Sequence, residues 1–313
     1  MQKPKILSLY DLIAKFPNEE AARLYFEAGR WNAGGKFCPH CGSYGVAECK
    51  NHKPMPYRCK DCRKHFSVRT GTVLEESRLP LIKWLMAIYM MTTARKGIPS
   101  TQMAKELGIT QKSAWFLSQR IREAWLSKDW GHPPSGSQLG GEVEVDETFI
   151  GGKESNKHAS KKLNQGRGTV GKSIVIGMKQ RDGAIVAKHI PDTSKTTLQG
   201  FINQHALPGA VVYTDTHSSY KGIKGYTHHT VNHTVGEYVR NQAHTNGIES
   251  FWALLKRGHY GVFHYMSAKH LHRYVNEFSN RHNTATCGTM DFIDDTLLNM
   301  KDRRLTYKEL INA

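Results

Sequence analysis

At 313 residues the chain exceeds one typical domain, and its 39% hydrophobic content is enough for one core of moderate size plus one or two satellites. Forty-four Lys and Arg against 27 Asp and Glu leave a formal charge of +17 and a pI near 9.6, which points to a polyanionic partner, nucleic acid ahead of acidic membrane. A membrane protein is disfavoured, because the most apolar run, Leu79 to Met91, is short for a span and carries Lys83, and no signal-like segment opens the chain. Six cysteines, four of them in two C-x-x-C pairs, read as a metal site in a reducing compartment, so cytoplasmic, nucleoid-associated residence is the expectation.

Residues 1–34 read as a helical lead-in, with Asn18 placed to cap the helix that starts at Glu19. Residues 35–72 hold Cys38, Cys41, Cys59 and Cys62 in a C-x2-C-x17-C-x2-C arrangement. Each pair makes a tight knuckle that aims two thiolates at one point, and the intervening residues form a hairpin that brings the pairs together. The spacing therefore predicts a closed, structural Zn2+ site; a dicysteine redox centre needs only one such pair. Cys49 and Cys287 are left unliganded. Tyr57, Arg58, Lys60, Arg63, Lys64, His65 and Phe66 surround the second knuckle with a basic face that suits either nucleic acid or protein docking.

Residues 73–132 combine an apolar helix, Leu79 to Thr93, with the cadence of a helix-turn-helix from Ile98 to Trp115. Ser100 is positioned to cap the first helix, Gly108 to break it and Thr110 to cap the second, while Ala104 is small where the two would cross. The second helix would present Gln111, Lys112 and Ser113, with Gln119 and Arg120 behind them, to DNA. The stretch His132 to Ser137 marks a domain boundary.

From 138 to 285 the texture becomes β-rich. Gly141 to Ile150 alternates, with Val143, Val145 and Glu147 on one face and Glu144, Asp146 and Thr148 on the other. Ser173 to Lys179 and Ala184 to Ile190 follow as strands joined by a turn at Asp182-Gly183. Thr193 to His205 is helical, Ala210 to Asp215 is an apolar strand ending in an acid, and Tyr226 to His233 is a further strand. His244 to Arg257 then forms an amphipathic helix, with Ile248, Phe251, Trp252 and Leu255 on one side and Asn246, Glu249, Ala253, Lys256 and Arg257 on the other. Three strands, helix, two strands and helix is the order of an α/β, ribonuclease-H-like layer. In such a layer Asp146, Asp215 and Glu249 converge, and three carboxylates from separate elements can hold two Mg2+ ions about 4 Å apart. Lys256, two turns from Glu249 on the same edge, suits a backbone phosphate. Ser267 to His282 is a helix that covers the core, and residues 286–313 are read as a C-terminal tail.

Taken together, the cysteine pairs, Val145-Asp146-Glu147-Thr148-Phe149-Ile150-Gly151-Gly152-Lys153, Thr214-Asp215 with Tyr220, His244-Thr245-Asn246 with Glu249, and Phe251-Trp252-Ala253-Leu254-Leu255-Lys256-Arg257-Gly258 resemble the bacterial insertion-sequence transposases of the DDE class that carry an N-terminal zinc ribbon. That resemblance implies a transposase in which Asp146, Asp215 and Glu249 bind Mg2+ or Mn2+, Lys256 contacts phosphate, and Asn246, one turn from Glu249, is a secondary candidate because some relatives are described with Asn in place of the third acid. It implies cleavage at the ends of an insertion element followed by strand transfer. The partners would be double-stranded DNA, in terminal repeats and target, and further copies of the chain in a dimer or higher oligomer on DNA. The basic stretch Gly151 to Lys172, including Lys161, Lys162 and Arg167, is either a solvated loop or a DNA-tracking arm, and Arg257 joins the DNA-facing set. Glu144 shares the face of Asp146 and Glu147 points away; both read as structural. Two other readings remain: a non-catalytic DNA-binding regulator that keeps the ribbon and the helix-turn-helix, and a hydrolytic nuclease of the same fold that never joins strands.

Overall fold

The computed structural model describes residues 5–31, 34–126, 138–152, 158–163, 169–231 and 245–312. The chain forms two units, one of Met1–Trp130 with Thr286–Ala313 and one of Gly131–Ala285.

The first unit opens with α1 (Leu9–Lys15) and α2 (Glu19–Arg30), the latter capped by Asn18, whose Oδ1 accepts from the Ala21 N–H at 2.9 Å. Three short antiparallel strands follow, β1 (Val46–Glu48), β2 (Tyr57–Cys59) and β3 (His65–Phe66). The apolar helix α3 (Leu81–Thr93) lies next, and its first N–H groups, at Leu81 and Ile82, donate to the Glu19 carboxylate at 2.7 and 3.0 Å, so α2 supplies the cap that Pro80 cannot. α4 (Ser100–Leu107) and α5 (Gln111–Ala124) are separated by Gly108 at φ +59°, and Thr110 Oγ1 accepts from the Ser113 N–H at 3.2 Å. Ser100 is not a cap: Pro99 holds that position, and Ser100 Oγ accepts from Gln111 Nε2 at 2.9 Å.

One apolar cluster runs through this whole unit. Phe26 and Trp31 from the lead-in, Tyr57 and Phe66 from the strands, Trp84 and Ile88 from α3 and Leu117 and Ile121 from α5 all belong to it. Each fully buried large side chain of this kind contributes roughly 1.5–3 kcal/mol. Residues 286–313, read above as a tail, supply α9 (Thr289–Leu298) and α10 (Tyr307–Asn312), and Phe292, Ile293, Leu297 and Met300 enter the same cluster. Trp125 Nε1 donates to Thr296 Oγ1 at 3.0 Å, a buried pairing across 171 positions. Gln119 and Arg120 are buried as well, so they present nothing to DNA. The α5 face they occupy turns inward, and the Arg120 guanidinium stacks on Phe116 at 4.9 Å and donates to the Glu75 carbonyl.

The second unit is a five-stranded sheet with β4 (Glu142–Ile150), β5 (Ser173–Gln180), β6 (Ile185–Ile190), β7 (Val211–Thr214) and β8 (Thr227–Thr230) in the order β6-β5-β4-β7-β8. The first three strands form an antiparallel meander, and β7 and β8 run parallel to β4, which is the ribonuclease-H-like arrangement. One face carries α6 (Lys195–His205), whose Leu198, Phe201 and Ile202 pack on Val143, Val145, Ile176, Met178 and Val212. On the other lie α7 (Asn246–Gly258) and α8 (Ala268–Asn283), through Ile248, Phe251, Trp252, Leu255, Leu271, Val275 and Phe278 against Val175 and Ile185. Asn283 closes the sheet edge, its Oδ1 accepting from Ile185 N–H at 2.8 Å and its Nδ2 donating to the Ile185 carbonyl at 2.9 Å. No described helix is long and apolar enough to cross a membrane.

Candidate active site and metal centre

Two knuckles bring the first unit's cysteines together. The Sγ atoms of Cys38, Cys41, Cys59 and Cys62 all lie within 4.8 Å of one another, and the Cys38–Cys62 and Cys41–Cys59 pairs are 3.6 Å apart. Four thiolates about 2.3 Å from a tetrahedral Zn2+ would stand about 3.8 Å apart, so the cluster fits a closed, structural zinc site. Cys49 and Cys287 lie outside it.

In the second unit the acids sit where β4 and β7 run side by side. The parallel register pairs Glu142 with Val211 and Glu144 with Tyr213; carried two residues further, it sets Asp146 level with Asp215, the first residue past β7. Asp215 is fixed by a tight turn in which its Oδ1 accepts from His217 N–H at 2.9 Å. Burial, followed by the neighbouring charges of Glu147 and Asp215, pushes the Asp146 carboxyl up to about 7, against the pull of its hydrogen bonds. Burial also raises Glu147, against the hydrogen bond from the Tyr220 hydroxyl, and the Asp215 charge adds to the rise. Glu147 thus projects to the face opposite α7 yet stays within electrostatic reach of both aspartates.

This concentration of negative charge has a consequence for stability. Because the Asp146 carboxyl is raised above its ordinary 3.8, the folded chain binds more protons than the unfolded chain between about pH 4 and 7. Its contribution is therefore most favourable at low pH and declines as the pH rises through that window. At pH 8 and without divalent cations, Asp146→Asn is expected to stabilise the second unit by about 2–4 kcal/mol. A urea midpoint that stayed the same or fell would refute the assignment of Asp146 as a strained carboxylate.

Helix α7 is fastened along β4. Ile248 N–H donates to Glu144 Oε2 at 2.9 Å, and Trp252 Nε1 donates to Asp146 Oδ2 at 3.0 Å. Four helical residues rise about 6 Å and two strand residues about 6.6 Å, so the helix and strand climb together. Thr245 offers α7 no side-chain cap; the buried Glu144 carboxylate, with Arg181 Nε 3.7 Å away, meets the positive helix end from the sheet. Two glycines make room for this. A Cβ on Gly247 would come within 2.7 Å of Glu144 Oε2, and one on Gly177 within 2.6 Å of the Trp252 ring and 2.9 Å of Ile248.

Glu249 follows Ile248 by 100° around the helix and is exposed, with Thr245 Oγ1 donating to its Oε1 at 3.0 Å. Among the described residues, the cysteines are the one group of three or more metal-ligating side chains whose ligand atoms lie within 4.8 Å of one another, so Asp146, Asp215 and Glu249 do not gather that closely. Three carboxylates repel at short range when no cation is present. Lys256 and Arg257 are exposed near the C-terminal end of α7, and Asn246 is exposed at its start. In the first unit Gln111 and Lys112 are exposed and Ser113 is half-buried at the N-terminus of α5. The Lys112 ammonium rests 4.6 Å above the Tyr307 ring of α10. Lys162 is exposed, whereas Arg167 and the side chain of Lys161 lie outside the described residues. Sequence reasoning missed Trp252 as a partner of Asp146 and Glu144 as the cap of α7. The parity of Glu144 with Asp146 was the available signal for the cap.

Residues 138–283 match the ISXO2-like transposase domain, and residues 17–65 match the transposase zinc-ribbon domain. The chain is 28% identical over 258 residues to an uncharacterized protein in transposable element ISH50 of Halobacterium salinarum, across 78% of this chain and 84% of that protein. An uncharacterized transposase-like protein of Haemophilus influenzae is 31% identical over 98 residues, 31% of this chain and 78% of its own length. Among solved structures, a pre-cleavage Mos1 transpososome shares 11% identity over 69% of this chain and 79% of that chain, with a TM-score of 0.24. The Mos1 strand transfer complex shares 13% over 69% and 78%, with a TM-score of 0.22. Superpositions this loose fix no residue correspondence.

Proposed function

This chain belongs to the insertion-sequence transposases that join an ISXO2-like catalytic domain to an N-terminal zinc ribbon, and on that premise we propose that it cuts DNA at the ends of its element and joins the freed 3′-hydroxyl to target DNA. The observation that carries the chemistry is the level pair of Asp146, midway along β4, and Asp215, just past the end of the parallel β7, where burial and mutual charge leave a carboxylate pair in want of a cation. Hard oxygen donors of this kind suit Mg2+ or Mn2+. Asp146, Asp215 and Glu249 would hold two such ions, which when bound supply activation of the attacking oxygen and stabilisation of the leaving one.

The chain's own contribution is placement. The Trp252 indole N–H holds one oxygen of Asp146, and Glu144 anchors the helix end from which Glu249 and Asn246 project. Lys256 and Arg257, exposed further along the same helix, meet backbone phosphates, with Lys162 and its basic neighbours as a second contact. Gln111, Lys112 and Ser113 at the start of α5, together with the zinc ribbon, bind the terminal repeats, and two or more copies assemble on the paired ends.

Zinc-loaded full-length protein incubated with labelled element ends and Mg2+ should release nicked strands and joined products, and neither without divalent cation. Nicked strands alone would favour a hydrolytic nuclease. Binding without any cleavage would favour a regulator.

A further inference from the structure

Beyond α7 the chain turns a corner that sets aromatic rings in solvent beside cations. Residues His259–Phe263 continue the helix as one π turn, and His264 ends it at φ +59°, a backbone conformation uncommon for a side-chain-bearing residue. Both features concentrate at functional sites. Tyr260 is 55% exposed and Tyr265 75% exposed, in the same stretch as the exposed Lys256, Arg257, His264 and Lys269.

Tyr260 is held in place. Its hydroxyl donates to the Gly151 carbonyl at 3.2 Å, and its ring stands edge-on to His259 with centroids 4.8 Å apart and planes at 89°. His259 is buried, and among the described residues neither of its ring nitrogens has a hydrogen-bond partner. A buried polar ring left unsatisfied is unfavourable, yet it is this ring that braces Tyr260. Its effect is to fix a flat apolar face in water, with Lys256 one turn back on the same side of the helix.

We infer that this corner stacks an unpaired nucleobase of the DNA substrate on Tyr260, with Tyr265 as a second ring and Lys256 and Arg257 on the flanking phosphates. The inference rests on the DNA-processing reading above. Aromatic faces set among cations are the general means of holding single-stranded nucleic acid, because every base has a stacking face. Location agrees as well. Tyr260 lies eight residues beyond Trp252, the partner of Asp146, about 12 Å along the helix, so a strand seated at the carboxylates needs only a few nucleotides to reach it.

The test is binding, free of catalysis. Full-length zinc-loaded protein without added Mg2+ is titrated with one element-end duplex, fully paired or with its last nucleotides unpaired. The native chain should prefer the unpaired end by roughly tenfold, Tyr260→Ala should remove that preference while keeping duplex affinity, and Tyr260→Phe should retain it. Tyr265→Ala, at a side chain too exposed to disturb folding, should reduce it. No preference in the native chain, or preference surviving Tyr260→Ala, overturns the inference alone; failure to bind either DNA overturns the DNA-processing reading too. Unaltered DNA binding with a changed sedimentation mass would mark the corner as a contact between copies and equally overturn it.

Discussion

Asp215→Asn is expected to lower Mg2+-dependent nicking of element-end DNA by on the order of 10²–10³-fold or more while leaving DNA binding within about twofold. The carboxylate sits level with Asp146 through the β4–β7 register, and its backbone turn is tied by the His217 N–H. Asparagine keeps the shape and one acceptor oxygen but removes the charge that holds a divalent cation. Glu249→Gln should act in the same direction, since α7 carries this acid on the helix that Glu144 and Trp252 pin to the aspartate strand. The two variants separate possibilities. Loss in Asp215→Asn with full activity in Glu249→Gln would leave the aspartates as ligands and remove the helix acid, and full activity in both would sink the metal-site assignment. A second readout is independent of turnover: the rise in unfolding midpoint that Mn2+ gives the native chain should disappear in Asp215→Asn.

The double replacement Cys38→Ser with Cys59→Ser should empty the zinc site and destabilise the first unit by on the order of 5 kcal/mol or more. Its reach follows from packing. Cys38 and Cys59 are both fully buried and belong to the same apolar cluster as Trp31, Tyr57, Phe66 and Trp84. Tyr57 additionally donates to the Glu27 carboxylate of α2 at 2.8 Å, with Lys36 3.4 Å from the same group. Losing the metal therefore loosens the strands, α2 and α3 together. Calorimetry should show the first unit's transition lost or shifted down with the second unit's unchanged, and elemental analysis should find no zinc. A normal zinc content in the variant would rule out the cysteines as its ligands.

What a reader of the bare chain can recover here is whatever depends on neighbours a few positions apart. The cysteine knuckles, the left-handed Gly108, the Asn18 and Thr110 caps, the alternation of Val143, Val145 and Glu147 and the apolar stripe of α7 are all local patterns imposed by backbone geometry. The succession of strands and helices along the chain followed from them and pointed to a ribonuclease-H-like layer. Other features required long-range partners. Residues 286–313 looked like a tail, yet Phe292, Ile293, Leu297 and Met300 complete a core whose other members come from Leu12 to Trp125. Gln119 and Arg120 looked solvent-facing and are buried. Glu144 and Trp252 acquire their roles through partners 104 and 106 positions away, and Gly177 matters because an indole ring lies over it. Hydrophobic burial has no direction and hydrogen bonds at such separations carry no periodic signature, so these contacts exist only once the sheet has brought distant segments side by side.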